Sequence, residues 1–589
     1  MSSADNGLTR RARLALRRSG RLVRTAVVTI SSDIEKAVET CDSDVVICPF
    51  LTVRIPESVY TRWPTVVIHP GPVGDRGGSS LDWAVSENEP LWGVTALSAV
   101  DAFDSGPVWA TRTFTLPRLR KSLVYNGRMA NAAIECILEV ADKAADPNFR
   151  PFDQETAHRP IAHARARRLM RQSDRAFDWA SDPEQILRHI HAADGAPGVV
   201  STLAQRSVRL YDAHPGRSGL DAAPGTLISR RHHAVEVACG GGASIWVGHL
   251  SIDLGDRWSC KAPSTAVLAR AGIALGTIPA TTGAAAAEDG QFTDITYRRF
   301  GPVGEIGEVA FDSYNGGMTE SLCHRLAIAI RAAACEDTKV LVVRGRGHAV
   351  FSNGLHLGEI EISPEPAKQA WRTIRAINAL CREILFCPQL SLVAMTSAGA
   401  GGAMLPLSAD VVVATGHSVI DPHYRTMGLG GSELHSYTLP RRVGADTAHG
   451  LLEAAEPIDA LAALDIGFVD HVGPDIGFDD WLIALAREYV QPERWLSTMT
   501  RTRGRLARDL ADKPLDAYEF EELGEMARNL FSDSLGFEAK RRAFLYKTPY
   551  PRHPDPRGVR DGGDVAVRGE PMTEPIRNRE APVTEQQLA

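Results

Sequence analysis

One histidine and one aspartate are the first residues of this 589-residue chain that could move protons within a shared site. His69 follows the apolar, β-branched run 66–68, and Asp104 follows a second apolar run. Such a run predicts a buried strand, and open α/β sheets bind ligands at the carboxyl ends of their strands. A histidine and a carboxylate at such an end could do acid/base chemistry. The alternative is a surface loop with an incidental histidine, which spacing alone favours.

The elements that must position this pair alternate between strand-like and helix-like patterns, which predicts a parallel or mixed sheet over residues 1–160. The predicted helices span 10–19, 31–40 and 125–144, and the predicted strands span 24–30, 44–48 and 65–68. The chain begins almost at a helix, whereas a domain of this kind normally opens with a buried strand. We therefore expect either a misplaced start codon or a sheet that lacks one member.

The rest of the chain divides into regions of different composition. Residues 161–260 show the pattern of a small β-rich domain, and 261–292, rich in Ala, Gly, Thr and Pro, are predicted to be a linker. Residues 293–548 return to α/β alternation, with a helix predicted to begin within 399–407, and 549–589 are predicted to be a disordered tail. Within the second region the predicted elements are a helix at 182–193 and strands at 207–211, 234–238 and 243–247. The fold class is therefore α/β multidomain.

Composition excludes several classes of function. The net charge of −7 argues against general nucleic-acid binding, and the chain has no run of about 18 apolar residues that would predict a membrane span. The nine cysteines form no CxxC motif and no Cys/His metal pattern, so we expect a reducing cytoplasm and no metal site. Arginines cluster between residues 10 and 24. A transit peptide or membrane-surface helix is one explanation, but the interleaved leucines favour the solvated face of a first helix.

Four motifs in the first 160 residues occur together in one order. They are His69-Pro70, Arg76-Gly77, Gly93-Val94-Thr95 and Asp104-Ser105-Gly106. In this order they resemble the formyltransferases that use 10-formyltetrahydrofolate, and 161–260 fits the second, OB-like domain of that family. The resemblance implies a Rossmann-like first domain in which protonated His69 stabilises a tetrahedral oxyanion while Asp104 holds the imidazole and relays a proton.

The same resemblance implies a folate pocket lined by Pro49, Phe50 and Asp101, largely through backbone atoms. For Phe50, ordinary core packing is an equally good explanation. One position departs from the family, since Val67 stands where an asparagine normally precedes the histidine by two residues. We therefore expect the formyl-transfer step to be where this chain differs from its relatives.

Two loops in the third region, 351–357 and 398–403, each follow a strand-like run and are rich in Gly or Ser. They resemble the oxyanion-hole loops of the crotonase (enoyl-CoA hydratase/isomerase) superfamily, which has a ββα spiral fold. The resemblance implies that the N–H groups of Leu355 and Gly401 hold a thioester carbonyl. Gly354 and Gly402 would allow coenzyme A to approach the backbone closely. The alternative is a pair of ordinary glycine turns.

The residues of enoyl-CoA hydration are absent from this part of the chain. The two catalytic glutamates of the superfamily fall on Met404 and His423, so ordinary hydration is not expected. Tyr424 and Glu433 remain as a plausible donor and base. The alternatives are an interface or core tyrosine and a solvated glutamate at a helix start.

A formyltransferase-like half joined to a crotonase-like half resembles the HypX (HoxX) family of [NiFe]-hydrogenase maturation proteins, from about residue 5 to about residue 555. The resemblance implies formyl transfer from 10-formyltetrahydrofolate to coenzyme A, then decarbonylation of formyl-CoA to give CO for the hydrogenase iron. It also implies a hydrogenase large-subunit precursor or another maturation protein as partner. The alternatives are a formyl transferase or formyl-CoA hydrolase that releases no CO, and a non-catalytic scaffold.

Overall fold

The computed structural model describes residues 1–41, 43–157, 159, 161, 163–281, 290–347, 350–397, 399–400 and 402–548. The elements follow the chain as three successive units, and each unit is built around its own sheet or sheets. This confirms the α/β multidomain class. The predicted tail, 549–589, lies outside the described residues.

The first unit is a four-stranded mixed sheet in the order β1-β2-β3-β4, with β1 and β2 parallel and the others antiparallel. Helix α6 covers it because its alanines and aliphatic residues recur every three or four positions on one face. The elements are α1 (Gly7–Arg18), α2 (Ser31–Thr40), β1 (Val46–Cys48), α3 (Glu57–Tyr60), β2 (Thr65–His69), α4 (Ser80–Ser86), β3 (Leu91–Ser98), β4 (Val108–Thr115), α5 (Lys121–Val124), a π-helix (Tyr125–Met129) and α6 (Ala130–Ala144).

The second unit is an antiparallel sheet in the order β5-β6-β9-β8-β7, with β10 beside β9. Strand β9 is buried along its whole length and forms the centre of this core with α8 and α9. The elements are α7 (Gln172–Arg175), α8 (Pro183–Ala193), β5 (Val199–Leu203), β6 (Arg206–Pro215), β7 (Leu227–Arg231), β8 (Ala234–Ala238), β9 (Ser244–Ile252), β10 (Ala262–Pro263) and α9 (Ser264–Arg270).

The third unit has a six-stranded sheet, β11-β12-β13-β14-β16-β19, that is parallel except for edge strand β11, and a small sheet, β15-β17-β18. Strands β12, β13, β14 and β16 are buried at every position, as expected for a parallel sheet covered on both faces. The strands are β11 (Ile295–Phe300), β12 (Ile306–Phe311), β13 (Val340–Gly345), β14 (Leu390–Met395), β15 (Gly399–Ala400), β16 (Val411–Thr415), β17 (Val419–Asp421), β18 (Ile458–Asp459) and β19 (His471–Gly473).

Ten helices of the third unit surround these sheets in the described part of the chain. They are α10 (Glu320–Ala334), α11 (Leu357–Ile362), α12 (Pro366–Leu385), α13 (His435–Val443), α14 (Ala445–Ala454), α15 (Ala460–Asp465), α16 (Phe478–Val490), α17 (Pro492–Asp512), α18 (Leu515–Phe531) and α19 (Phe537–Tyr546). No helix of the described residues is long and apolar enough to cross a membrane.

The units are joined by charged contacts. Arg10 of α1 is paired with Asp421 at the end of β17, and Arg18 Nε lies 2.8 Å from the carboxylate of Asp459. The first unit is thereby attached to the third. The second unit packs against α11 so closely that a Cβ on Gly358 would lie 2.1 Å from the Lys261 carbonyl oxygen.

Three sequence predictions are wrong in detail. Residues 24–30 are not a strand, because among the described residues only Ser2 pairs with them, through one bridge to Val27. The predicted linker contains β10 and α9, whose Val267 and Leu268 are buried in the core of the second unit. The helix expected from 399 is instead strand β15 and a later 3₁₀ turn, Leu405–Ser408.

Candidate active sites

His69 is the last residue of β2 and lies between two carboxylates. Its Nδ1 is 3.4 Å from Asp104 Oδ2, and its Nε2 is 3.0 Å from Asp75 Oδ2. Carboxylate oxygens accept hydrogen bonds, so each ring nitrogen of His69 faces an acceptor. The structure therefore brings the predicted pair together and adds a second acid that we did not predict.

Asp75 is fully buried beneath the histidine, in the loop that follows β2. Its other oxygen lies 3.5 Å from Arg167 Nη1. Gly71 makes this arrangement possible, because a Cβ there would lie 2.4 Å from His69 Nε2 and 2.5 Å from the Asp75 carboxylate. The acid follows His69 by six positions in a Gly/Pro loop, and a search for carboxylates within that loop would have found it.

Asp104 lies on the more open side of His69, where its side chain is 16% exposed. Its backbone is left-handed, with φ 54°, and its carbonyl accepts a hydrogen bond from Gln154 at 2.9 Å. Its carboxylate accepts one from the Gly77 N–H at 3.0 Å. Of the two carboxylates beside His69, Asp104 is thus the more accessible and Asp75 the fully enclosed one.

The other predicted residues of the first site are spread around it. Val67 pairs with Cys48 and Leu97 on the neighbouring strands and is half-buried. The Phe50 carbonyl is occupied by Ser2 and Ser3, and the exposed Asp101 is paired with Arg54. Their assignment to a folate pocket stays a prediction.

A cavity of about 640 Å³ lies between β1 and helices α1, α2 and α6. Pro49 lines it, but neither His69 nor Asp104 does. We assign this cavity no part in formyl transfer.

The second site is built around Glu433, which is buried and lies next to Tyr424. Glu433 Oε2 accepts hydrogen bonds from the Tyr424 hydroxyl at 2.9 Å and from the Met404 and Leu405 N–H groups at 3.0 and 3.1 Å. Asn378, buried in α12, accepts from the Glu433 N–H at 2.9 Å. Glu433 has φ 72°, so a strained backbone is held in place by these bonds.

Burial raises the pKa of the Glu433 carboxyl to about 8, despite the hydrogen bonds that favour its charged form. Because Oε2 already accepts three hydrogen bonds, the proton of the neutral form belongs on Oε1. Burial and the neighbouring Glu433 also raise the pKa of Tyr424 well above its ordinary value. A carboxyl that titrates near neutrality beside a phenol that stays protonated is suited to acid/base work.

The oxyanion loop, residues 351–357, touches the second glycine-rich segment directly. A Cβ on Gly402 would lie 1.8 Å from Ser352 Oγ and 2.8 Å from the Gly354 nitrogen. The loop is also pinned from its other side, because Met318 N–H donates to Gly354 and His356 N–H donates to Met318. In that pairing the Leu355 N–H points away from Met318, and no acceptor among the described residues takes it.

Gly401, the other predicted donor, lies outside the described residues, so its part in the oxyanion hole stays a prediction. At the positions of the superfamily glutamates, Met404 is buried and uses its N–H to hold Glu433. His423 is partly exposed, and its Nδ1 lies 3.3 Å from Asp421. The buried carboxyl group in this region is therefore that of Glu433, which lies at a different position in the chain.

These features define a protein that combines a formyltransferase-like half with an enoyl-CoA hydratase-like half. Residues 169–263 match the formyl transferase C-terminal domain family, and residues 309–518 match the enoyl-CoA hydratase/isomerase family. The chain is also 26% identical over 203 residues to a methionyl-tRNA formyltransferase from Trichlorobacter lovleyi. The aligned residues cover 34% of this chain and 60% of that protein.

Similarity to one kind of protein extends over nearly the whole chain. Hydrogenase maturation factor HoxX from Bradyrhizobium diazoefficiens is 35% identical over 560 residues, which is 94% of this chain and 95% of that protein. The crystal structure of HypX from Aquifex aeolicus in complex with tetrahydrofolic acid superposes with a TM-score of 0.86 at 30% identity, covering 94% of this chain and 96% of that one. The chain belongs to the HoxX/HypX family of hydrogenase maturation factors.

Proposed function

We propose that this protein makes the CO ligand of the [NiFe]-hydrogenase iron from a folate-bound formyl group. The first unit passes the formyl group from 10-formyltetrahydrofolate to coenzyme A, and the third unit decarbonylates the resulting formyl-CoA. The observation that carries this proposal is the buried Tyr424–Glu433 pair, in which the Tyr424 hydroxyl donates to the Glu433 carboxylate at 2.9 Å. Folate binding is supported by the tetrahydrofolic acid complex of the Aquifex relative.

In the first reaction the thiolate sulfur of coenzyme A attacks the formyl carbon, and the carbon–N10 bond of the folate breaks. His69 stabilises the tetrahedral oxyanion, and Asp104 relays the proton lost by the thiol to N10. Asp75 keeps the imidazole oriented, while Asp104 exchanges its contact with the ring for one with substrate. Tetrahydrofolate and formyl-CoA are the products.

In the second reaction the formyl C–H bond and the carbon–sulfur bond of formyl-CoA both break. The N–H groups of Leu355 and Gly401 hold the formyl oxygen, Glu433 in its carboxylate form takes the formyl proton, and that proton passes to the departing thiolate. Tyr424 stays protonated and orients the Glu433 carboxylate. The products are CO and coenzyme A, so the coenzyme is regenerated.

The cysteines are consistent with a reducing compartment, since all of them are free thiols and only Cys335 is exposed. We place the protein in the cytoplasm, where CO would pass to a hydrogenase large-subunit precursor or to another maturation protein.

The test is to supply the full chain with 10-formyltetrahydrofolate and coenzyme A and to trap CO with reduced haem. We expect one CO for each tetrahydrofolate formed, with no net consumption of coenzyme A. Formate in place of CO would instead indicate a formyl-CoA hydrolase, and no release of tetrahydrofolate would leave only a scaffold role.

A further inference from the structure

A buried chain of hydrogen bonds crosses all three units and ends at the oxyanion loop. Arg120, which immediately precedes α5, is paired with Asp212 of β6. Asp212 Oδ2 lies 2.9 Å from His249 Nδ1, and His249 Nε2 lies 3.2 Å from His356 Nε2. His356 Nδ1 then caps helix α11 by accepting the Glu359 N–H at 3.0 Å. All four side chains of this relay are at most 9% exposed.

Only one set of tautomers satisfies these contacts with both imidazoles neutral. His356 Nδ1 accepts from a backbone N–H, so its hydrogen must be on Nε2, which donates to His249. His249 Nε2 therefore accepts, and its own hydrogen is on Nδ1, which donates to the Asp212 carboxylate. The hydrogen bonds thus run in one direction, from the helix cap toward the ion pair.

The charges around the relay are consistent with this assignment. Burial lowers the pKa of His249 to about 4, and burial together with His249 lowers that of His356 well below its ordinary value. Burial opposes ionisation of Asp212, but Arg120 and His214 outweigh it and lower the pKa of that carboxyl. Both histidines are therefore neutral and Asp212 is charged near neutral pH.

A metal site is the competing explanation, because ligand atoms of Asp212, His233 and His249 all lie within 4.8 Å of one another. Two contacts argue against it. Arg120 already neutralises the carboxylate, and a metal on His249 Nδ1 would require the hydrogen to move to Nε2, where it would face the His356 Nε2 hydrogen. The cluster is better explained by hydrogen bonding than by metal binding.

His356 directly follows Leu355, whose N–H we assign to the formyl oxygen. We propose that Asp212, His249 and His356 are positioning residues that hold the oxyanion loop, so that decarbonylation depends on the docked second unit. This inference rests on the proposed function of the second site. The formyltransferase-like half would then contribute to decarbonylation in the crotonase-like half. It would do so through the His249–His356 contact, which exists only when the two halves are together.

Two substitutions separate the relay from the helix cap. His356→Asn keeps an oxygen that can cap α11 but removes the Nε2 donor, and His249→Asn keeps a donor to Asp212 but removes the acceptor for His356. His324→Asn, at an exposed position of α10 outside the relay, is the matched control. With formyl-CoA supplied directly, we expect both relay variants to lose kcat for CO release by about 10-fold or more with little change in KM. Tetrahydrofolate release by the first site should stay at the wild-type rate, which a general loss of structure would not allow.

Two further readouts do not depend on CO formation. Amide hydrogen exchange over residues 354–360 should be faster in both relay variants than in the wild type and in His324→Asn. Ring-nitrogen spectra of ¹⁵N-histidine-labelled wild-type protein should show the Nδ1–H tautomer for His249 and the Nε2–H tautomer for His356. Any one of three results would overturn the relay. They are the opposite tautomers, wild-type hydrogen exchange with wild-type kcat in both variants, and displacement of the His249 Nδ1 hydrogen by added Zn²⁺. A wild-type protein that makes no CO would refute the proposed function. The hydrogen-exchange rates and the histidine tautomers would still test whether the relay exists.

Discussion

At the scale of single residues, the first site depends on a second acid beneath His69. Replacing Asp75 with asparagine keeps the size of the side chain but removes the carboxylate that holds the His69 ring. We expect Asp75→Asn to slow tetrahydrofolate release from 10-formyltetrahydrofolate by about 100-fold. Release of CO from supplied formyl-CoA is the internal control and should be unchanged. An equal loss of both reactions would mean that Asp75 supports the fold rather than the transfer.

Glu433 should give the second reaction its pH dependence. In the proposed reaction the carboxylate is the base. Its pKa is raised to about 8, so CO release from formyl-CoA should increase as pH rises through about 8 and then level off. The check is a pH–rate profile of kcat for the wild type beside Tyr424→Phe. A rate that falls with rising pH across this range would contradict the assignment of Glu433 as base.

The same carboxyl should reduce the stability of the folded protein. Between pH 4.5, the ordinary pKa, and about 8, the unfolded chain ionises this group while the folded chain keeps it neutral. Unfolding then releases a proton, so stability is lost as pH rises, by about 1.4 kcal/mol per pH unit of this interval. We expect Glu433→Gln to abolish CO formation yet to raise Tm at pH 7.5 relative to the wild type. A lower Tm for Glu433→Gln than for the wild type at pH 7.5 would contradict the raised pKa of Glu433.

At the scale of elements, the two loops of the second site must touch. Gly402→Ala places a methyl group 1.8 Å from Ser352 Oγ, so the oxyanion loop must shift. We expect this variant to lose CO release from formyl-CoA and about 1–3 kcal/mol of stability. Gly450→Ala, within α14 and with nothing within 4 Å of the added methyl group, is the matched control and should be neutral or slightly stabilising. Wild-type activity in Gly402→Ala would exclude the loop contact as a requirement.

Much of this element structure follows from local pattern. The run 390–395, apolar except for Ser391, is strand β14, and α8 occupies all but the first residue of the helix predicted at 182–193. Prediction failed where the structure of a segment depends on which distant segment packs against it. The β-branched run 24–30 has strand propensity but lacks a neighbouring strand, and the Ala-rich segment 261–292 reads as a linker although Val267 and Leu268 fill the core of the second unit.

The candidate sites show the same division. His69, Asp104, Tyr424 and Glu433 could be placed because each lies in a motif with a recognisable order. Asn378 could not, because it sits within an ordinary amphipathic helix and only the fold brings it to the Glu433 N–H. The Asp212–His249–His356 relay joins residues more than 30 positions apart in the chain, at the junction of two units. Such contacts cannot be predicted from hydrophobic periodicity, which indicates only whether a local segment is a helix or a strand.

At the scale of the whole molecule, the proposed function requires the units to work as one enzyme rather than as two. Arg10 and Arg18 attach α1 to the third unit, and the relay attaches the second. In the proposed reaction sequence, formyl-CoA released at the first site would reach the second at a high local concentration. We expect an equimolar mixture of His69→Ala and Glu433→Gln proteins, supplied with 10-formyltetrahydrofolate and coenzyme A, to make far less CO than half the same amount of wild type. Full complementation by the mixture would show that formyl-CoA diffuses freely between molecules.

The fate of the formyl hydrogen tests the central claim most directly. The wild-type protein is given 10-formyltetrahydrofolate labelled with ¹³C and deuterium in the formyl group, together with coenzyme A, and the gas and the solution are analysed by mass spectrometry. Our account predicts ¹³CO, coenzyme A recovered as free thiol, and deuterium lost from carbon for every tetrahydrofolate released. Deuterated ¹³C-formate without ¹³CO would contradict it.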